Sequence, residues 1–556
     1  MRTGNRKYIA GTLGLLTLSF LGCTQAENRE EATQRPNVIF FITDDMTRDM
    51  FNCLEEGEGK NLSPHLDQLA KEGTLMMGQH VVSPVCTPSR FNCLTGMYAS
   101  RATNEDFLAK MERSGGQTVV EWNSFITEGD TTVAHLLKAA GYRTGFVGKN
   151  HVIEVPGIYK PENYFADPAD PEIRRQLRQN AVRFRKAFAK YGFDYAERIY
   201  DNNPNYIGLK KLAVHNLDWI TEGGLEFIGE NGDQPFFLYF ATTTPHGPYE
   251  IDRSWGADRR ITPYGILEEP VEILSDEETI RERLEASDVA IPPGRLASRG
   301  NVLWLDDALG ALIDKLKATG QYEHTIIFFF SDHGQAAKGT VYQGGTESPS
   351  IIWQHGGFPC GTRNQTLVSN VDFAPTILDL AGVRYAAGRF DGKSFARVLA
   401  GDTTSLHESL YFELGYSRGV RKGDKKYLAL RYPDYALDLT RQERMDILMA
   451  FNAHQQKQDK RVHHTDPTLP YSHLQLIPGG GDAEQASISK YPDYYDRDQL
   501  YLLSEDPREQ ENLFYEEEYR TLGREMQAEL MEYVDELPGT FNNLGPVYTQ
   551  HMETDK

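Results

Sequence analysis

The chain has little cysteine and little tryptophan, five residues of each in 556. No Cys-x-x-Cys pair and no His/Cys cluster stands at zinc spacing, which argues against a soft-metal site. The three cysteines that belong to no motif, Cys53, Cys93 and Cys360, permit one disulfide at most. The fold must therefore rest on its core rather than on cross-links. Positive charge is also short: 58 Lys and Arg stand against 80 Asp and Glu, a net charge of −22. That balance argues against a nucleic-acid partner, and it means that any attraction for an anionic ligand must be local. No internal repeat recurs along the chain. What is present is material for a large globular core, with 40% of residues hydrophobic and a length that calls for one large and one smaller domain.

The apolar run Ile9 to Leu21 is too short to span a bilayer comfortably. Arg2, Arg6 and Lys7 precede it and Leu21-Gly22-Cys23 closes it, so residues 1–22 are expected to be an export signal. The Gly-Cys ending resembles a bacterial lipoprotein signal. That resemblance implies a lipid on Cys23, membrane anchoring through it, a polar tether over 23–35, and a location in the periplasm or on the outer-membrane or cell surface. Simple cleavage is the alternative.

Four extended stretches carry chemistry at their C-terminal ends. Asn37 to Thr43 is a continuous apolar run, as expected of a central parallel strand buried on both faces, and it runs into Asp44-Asp45. Adjacent carboxylates repel unless a cation sits between them. Thr325 to Phe330 repeats the pattern and ends in Ser331-Asp332-His333-Gly334, while Gln234 to Phe240 leads to Thr243-Thr244-Pro245-His246. Arg143 to Val147 delivers Gly148-Lys149-Asn150-His151, and residues two apart on an extended segment face the same way. Open α/β sheets place their sites at this edge.

The stretch Cys86-Thr87-Pro88-Ser89-Arg90 reads as a thiol at the mouth of a short helix that Gly96 can end. Unpaired first-turn N–H groups and the helix dipole would face whatever Cys86 carries, and Arg90 adds a full charge one turn on. This is an anion-binding corner.

Cys86 to Arg90 followed by Leu94-Thr95-Gly96 resembles the signature of the formylglycine-dependent sulfatases, members of the alkaline-phosphatase-like superfamily. Asp44-Asp45, Gly148-Lys149-Asn150-His151, the His246 turn, Asp332-His333-Gly334 and Lys338-Gly339-Thr340-Val341-Tyr342-Gln343-Gly344-Gly345 also match that family, with Gln343 in place of its Glu and His333 in place of its commoner Asn. The resemblance implies that a maturation enzyme acts on the segment around Cys86 and converts it to 3-oxoalanine (formylglycine). It also implies one calcium ion per chain, held by Asp44, Asp45, Asp332, His333 and the modified Cys86. An imidazole is a softer ligand than calcium prefers, which leaves the metal's identity open. Arg90, Lys149 and Lys338 would neutralise the sulfuryl group, His246 or Lys338 would assist the departing alcohol, and His151 would deprotonate the second hydroxyl of the hydrated aldehyde so that sulfate leaves. An ordinary Ser in this place would be left with a stable sulfate ester.

The expected fold is α/β, a large mixed, mostly parallel sheet sandwiched by helices over residues 36–405, with a smaller α+β part built on a short antiparallel sheet over 406–556. Glu250 to Arg299 and Ala436 to Asp496 read as insertions, the first near the site. The expected activity is sulfate-ester hydrolysis on a sulfated carbohydrate. A phosphonate or phosphate ester hydrolase of the same superfamily, or an exported sugar-binding lipoprotein without turnover, is the alternative. Asn104, Trp122, Trp255 and Arg389 are residue types that bind sugars.

Overall fold

The computed structural model describes residues 35–457 and 482–541. The expected export signal, Cys23 and all of the tether but Arg35 lie outside the described residues, as does the middle of the polar segment 436–496.

A single eight-stranded sheet organises the molecule. Its strands are β1 (Asn37–Asp44), β2 (Thr74–Met76), β3 (Arg143–Lys149), β4 (Tyr195–Tyr200), β5 (Phe236–Pro245), β6 (Thr325–Ser331), β7 (Ser350–Gln354) and β8 (Thr362–Asn364), in the order β8-β2-β7-β6-β1-β5-β3-β4. Strands β6, β1, β5, β3 and β4 run parallel, and β7 alone is antiparallel to both its neighbours. The reason is visible in β1, where all eight residues are buried and alternate ones enter opposite layers. Val38, Phe40 and Ile42 join one core with Phe91 of helix α1 (Cys86–Thr95), and Ile39 and Phe41 join the other with Trp219 and Leu309. A strand covered on both faces must be apolar throughout, which is how it reads.

Register fixes the site. Thr43 pairs with Ser331, Asp44 with Pro245, and Gly148 with Ala241. The residues that follow, Asp45, Asp332 and His246, and Lys149 beside them, therefore leave one edge of the sheet together. Gly148 sits at a register shift with φ +91°, and a Cβ there would fall 1.8 Å from the Ala241 carbonyl oxygen. Only glycine fits.

A separate four-stranded antiparallel sheet, β9 (Leu410–Leu414), β10 (Ser417–Lys422), β11 (Lys425–Leu430) and β12 (Asp498–Leu502), lies near the C-terminus, backed by a helix over Arg520–Asp535. It meets the loop that carries Lys338 through a buried charge pair. Lys426 Nζ lies 2.8 Å from Glu509 Oε1 with both side chains fully enclosed, and Glu509 Oε2 accepts the Gln343 backbone N–H at 2.7 Å. Tyr342 stacks on Tyr491 at 3.7 Å, and the Lys490 ammonium donates to the Ala336 carbonyl. Part of the polar segment expected as an insertion thus braces this loop. Deleting one partner of an enclosed pair strands the other charge, so Lys426→Met should lose about 3–5 kcal/mol of stability. The urea midpoint reads it, and Lys426→Met with Glu509→Gln should recover part of the loss. A loss below about 1 kcal/mol would mean that water reaches the pair.

Candidate active site

Cys86 opens α1 at its first helical position, after Val85 in extended conformation, and Gly96 ends the helix at φ +66°. The thiol is enclosed, with Sγ 3.6 Å from His333 Nε2 and 3.8 Å from Lys338 Nζ. The helix mouth is therefore faced by two basic side chains of the segment that follows β6, as the anion-binding corner requires.

Three enclosed carboxylates face it. Asp44 accepts from Lys149 Nζ at 2.5 Å and from Arg90 Nη2 at 3.3 Å; Asp332 accepts from the same Arg90 nitrogen at 3.2 Å. Asp45, held at φ +62°, accepts Lys338 Nζ on both oxygens at 2.6 and 2.8 Å, with His333 Nε2 at 3.1 Å and His246 Nε2 at 3.4 Å. Oxygen, nitrogen and sulfur atoms of Asp45, Cys86 and His333, and of Asp44, Cys86 and Asp332, each lie within 4.8 Å of one another. Cys86 is common to both groups. The structure brings Cys86, Arg90, Lys149, Lys338, His246, Asp44, Asp45, Asp332 and His333 into one cluster.

The titrations follow from this packing. Burial works against an ionised Asp44, but Lys149, His246 and Arg90 outweigh it and hold its carboxyl well below the usual range. Burial likewise opposes charge on Lys338, and Asp45 with Cys86 keeps its pKa well above the ordinary lysine value. For His333 burial is again outweighed, by Asp332 and by hydrogen bonds to Asp45 and Cys86, and its pKa is pushed up to about 10. His333 Nδ1 donates to the Gly334 carbonyl at 3.2 Å, which turns Nε2 toward the carboxylates. A backbone acceptor on the far nitrogen is the usual support for a metal-bound imidazole.

His151 differs from the others. Its backbone sits at φ +52°, its N–H donates to the Asp201 carbonyl at 2.9 Å, and its Nδ1 is buried without a partner. Burial and then the charges of Lys149 and Arg90 push its pKa well below 6.5, so it stands neutral and able to accept a proton. Two non-glycine residues in the left-handed region at one site, Asp45 and His151, are the kind of local strain that function retains. Arg90 Nε and Nη1 are also enclosed and unpartnered. Those orphaned donors, beside three carboxylates, an imidazole and a thiol, fit both a cation and an anionic ligand.

A cavity of about 330 Å³ opens beside His333, between Met46, Arg48 and Phe51 on one side and Gln335, Glu347 and Pro349 on the other. Of the residues expected to suit sugars, Trp255 is enclosed and its Nε1 donates to the Ala297 carbonyl, while Asn104 bonds the Asn123 carbonyl and the Phe125 N–H. These two serve packing and loop closure instead. Trp122 and Arg389 are half-buried. Cys53, Cys86, Cys93 and Cys360 are all free thiols.

Sequence reasoning missed His215. It is enclosed, bonded through Nδ1 to Thr243 Oγ1 at 2.8 Å, with Nε2 buried and unpartnered. Burial, and then His246, lowers its pKa to about 3. The unfolded chain would take up a proton near pH 6.5 that the folded chain refuses until about 3, so His215 lowers stability as pH falls through that window. His215→Gln should flatten the acid side of the urea-midpoint profile between pH 3 and 6.5; an unchanged profile would contradict this.

Comparison with known proteins adds the family. The family model described as Sulfatase matches residues 36–383, and the model described as N-sulphoglucosamine sulphohydrolase, C-terminal, matches residues 331–455. Mouse N-acetylgalactosamine-6-sulfatase is 26% identical over 403 residues, 67% of each chain. Human arylsulfatase A is 25% identical over 419 residues, 69% of this chain and 72% of its own. A Bacteroides thetaiotaomicron structure described with the metabolism of multiple glycosaminoglycans superposes with a TM-score of 0.57 at 20% identity, covering 90% of this chain and 99% of its own. A structure in complex with its substrate D-glucosamine-2-N,6-O-disulfate superposes with a TM-score of 0.53 at 18% identity, covering 90% and 98%. At these identities the two structures speak for the fold alone.

Proposed function

The chain belongs to the sulfatase family and is a sulfuric ester hydrolase, and from that premise we propose that it releases sulfate from a sulfated carbohydrate at Cys86, oxidised after synthesis to 3-oxoalanine beside one calcium ion. The observation that carries the reading is the convergence of Asp44, Asp45, Asp332 and His333 on the Cys86 side chain at the mouth of α1. Those four residues, with an oxygen on the modified Cys86, would hold the cation. Three carboxylates suit a hard cation, and His333 is the one soft donor. When present, the cation and the oxidised side chain would supply charge neutralisation at the sulfuryl oxygens and a hydroxyl nucleophile.

The chain's own residues do the rest. Arg90 brings two unpartnered donors to an enclosed place, and Lys149 lies beside it on the shared carboxylate of Asp44. Fixed donors of this kind favour a charge that grows on an oxyanion without reorganising. His151, neutral and with a free Nδ1, is suited to take a proton. His246 donates Nδ1–H to the Gly247 carbonyl at 2.9 Å, leaving Nε2 toward the site; Lys338, held charged beside Asp45, can deliver a proton to a departing alcohol, and His246 can do so only from Nε2 of a doubly protonated ring.

The carbohydrate substrate is supported by the names of relatives, N-acetylgalactosamine-6-sulfatase among them. Export through residues 1–22, a lipid on Cys23 and a periplasmic or cell-surface location complete the proposal, and they rest on the sequence pattern. The test is sulfate release from a panel of sulfated oligosaccharides, run beside an aryl sulfate and an aryl phosphonate. Release from a saccharide supports the reading. Reaction with aryl sulfates alone, or a higher kcat/KM on the phosphonate, would overturn it.

A further inference from the structure

In a chain of net charge −22, the helix Pro171–Phe188, here α2, carries five arginines and one lysine against a single acid, Glu172. Its buried stripe is apolar: Ile173, Leu177 and Phe184 pack toward Leu209, Leu212 and β4. The outward stripe holds Arg174, Arg175, Arg178, Val182, Arg185 and Lys186, all exposed. Arg175 is paired with Glu172 and Arg185 with Glu197. Arg174 and Arg178 have no acidic partner among the described residues. Ala169, Pro171, Arg174, Arg175, Arg178, Gln179 and Val182 line an open groove of about 560 Å³ along this face.

Arginines four apart on a helix lie side by side and repel each other. With 1.5 Å of rise per residue, Arg174 and Arg178 are rooted about 6 Å apart along the axis, close to the length of one hexose unit in an extended glycan. A row of guanidinium groups at that spacing matches a row of sulfate esters, each able to accept paired N–H bonds.

The first turns of α2, which carry Arg174 and Arg178, lie at the active-site end of the sheet. The C-terminal end of α2 is at the opposite end, where Phe193 N–H bonds the Phe188 carbonyl and Asp194 N–H bonds Thr144 at the start of β3. Its middle turn reaches the site through short links. Asn180 exchanges hydrogen bonds at 2.9 Å with both backbone groups of Tyr159, Lys160 is paired with Asp201 at 2.9 Å, and Asp201 accepts the His151 N–H.

We propose that the exposed face of α2 around Arg174 and Arg178 is a secondary binding surface for a sulfated polysaccharide, engaging sulfate groups of the same chain whose ester enters the active site. It rests on the carbohydrate reading of that site. The surface supplies local attraction that the protein's overall charge opposes.

The probe is dextran sulfate, with the matured, metal-loaded enzyme and the double variant Arg174→Ser/Arg178→Ser. Both side chains are exposed and unpaired, so the variant should fold and hydrolyse a small aryl sulfate at the wild-type rate. The expected result is at least tenfold weaker binding of dextran sulfate, with the log–log salt slope reduced by about two, the count of cations removed. Arg397→Ser, an exposed cation elsewhere, should change neither. Equal binding and equal slope in the double variant and the wild type would overturn the proposal, as would an equal loss in Arg397→Ser. Failure to release sulfate from any saccharide, with binding still dependent on Arg174 and Arg178, would remove the substrate reading and leave the surface standing.

Discussion

Cys86→Ser should hold about one sulfate per chain and stop there. The serine hydroxyl would stand at the mouth of α1 with Lys338 and His333 about it, where Cys86 Sγ lies 3.8 and 3.6 Å from their nitrogens. It can attack sulfur, but it has no second hydroxyl whose deprotonation would expel the sulfate. Steady-state release should fall by about 10⁶-fold, the scale of deleting a nucleophile. Intact mass after exposure to an aryl sulfate should show one added sulfuryl group. Cys86→Ala should lose the same activity and gain no mass. Because Cys86 is enclosed, both variants need a folding control, and unchanged urea midpoints would supply it. Turnover by either variant within tenfold of the wild type would contradict the role given to residue 86.

Asp45→Ala should be almost as damaging, for a different reason. One carboxylate holds Lys338 on two oxygens, with His333 and His246 within 3.4 Å. Without it three basic groups face one another around an enclosed pocket and the proposed cation loses one of its three carboxylates. Losing such fixed electrostatics costs about 10²–10³-fold per element, and here the cation and Lys338 are disturbed together, so a fall of about 10⁴-fold is expected. Asp45→Asn keeps the shape and tolerates the left-handed backbone at φ +62°. It should leave some activity but bind the divalent cation at least tenfold more weakly. Calorimetric titration of the chelator-stripped protein reads that change. Equal calcium affinity in Asp45→Asn and the wild type would show that the cation lies elsewhere.

The strand ends were legible because each announces itself twice. Asn37 to Thr43 and Thr325 to Phe330 are apolar runs too uniform for anything but buried parallel strands, and each ends in acids that a core would not accept. The shared edge follows from parallel pairing, so Asp44, Asp45 and Asp332 could be placed together before any distance was known. Gly96 read as a helix stop, and it stands at positive φ. What the sequence hid is long-range. Nothing local marks Lys426 and Glu509 as partners 83 residues apart, or links Tyr491 to Tyr342, because each pair joins segments that only the folded chain brings together. His215 escaped for a similar reason: its partner, Thr243, lies 28 residues away and no motif surrounds it. The sugar-binding types failed at Trp255 and Asn104 because composition alone cannot tell an exposed aromatic or amide from an enclosed one.

The central claim is that an oxidised residue 86, not a thiol, performs the reaction. It is tested most directly by preparing the enzyme with graded conversion of Cys86, measuring the converted fraction by peptide mass, and measuring sulfate release on the same samples. Activity is expected to rise in proportion to conversion and to vanish at zero. Full activity from a preparation whose residue 86 is entirely cysteine would contradict the account.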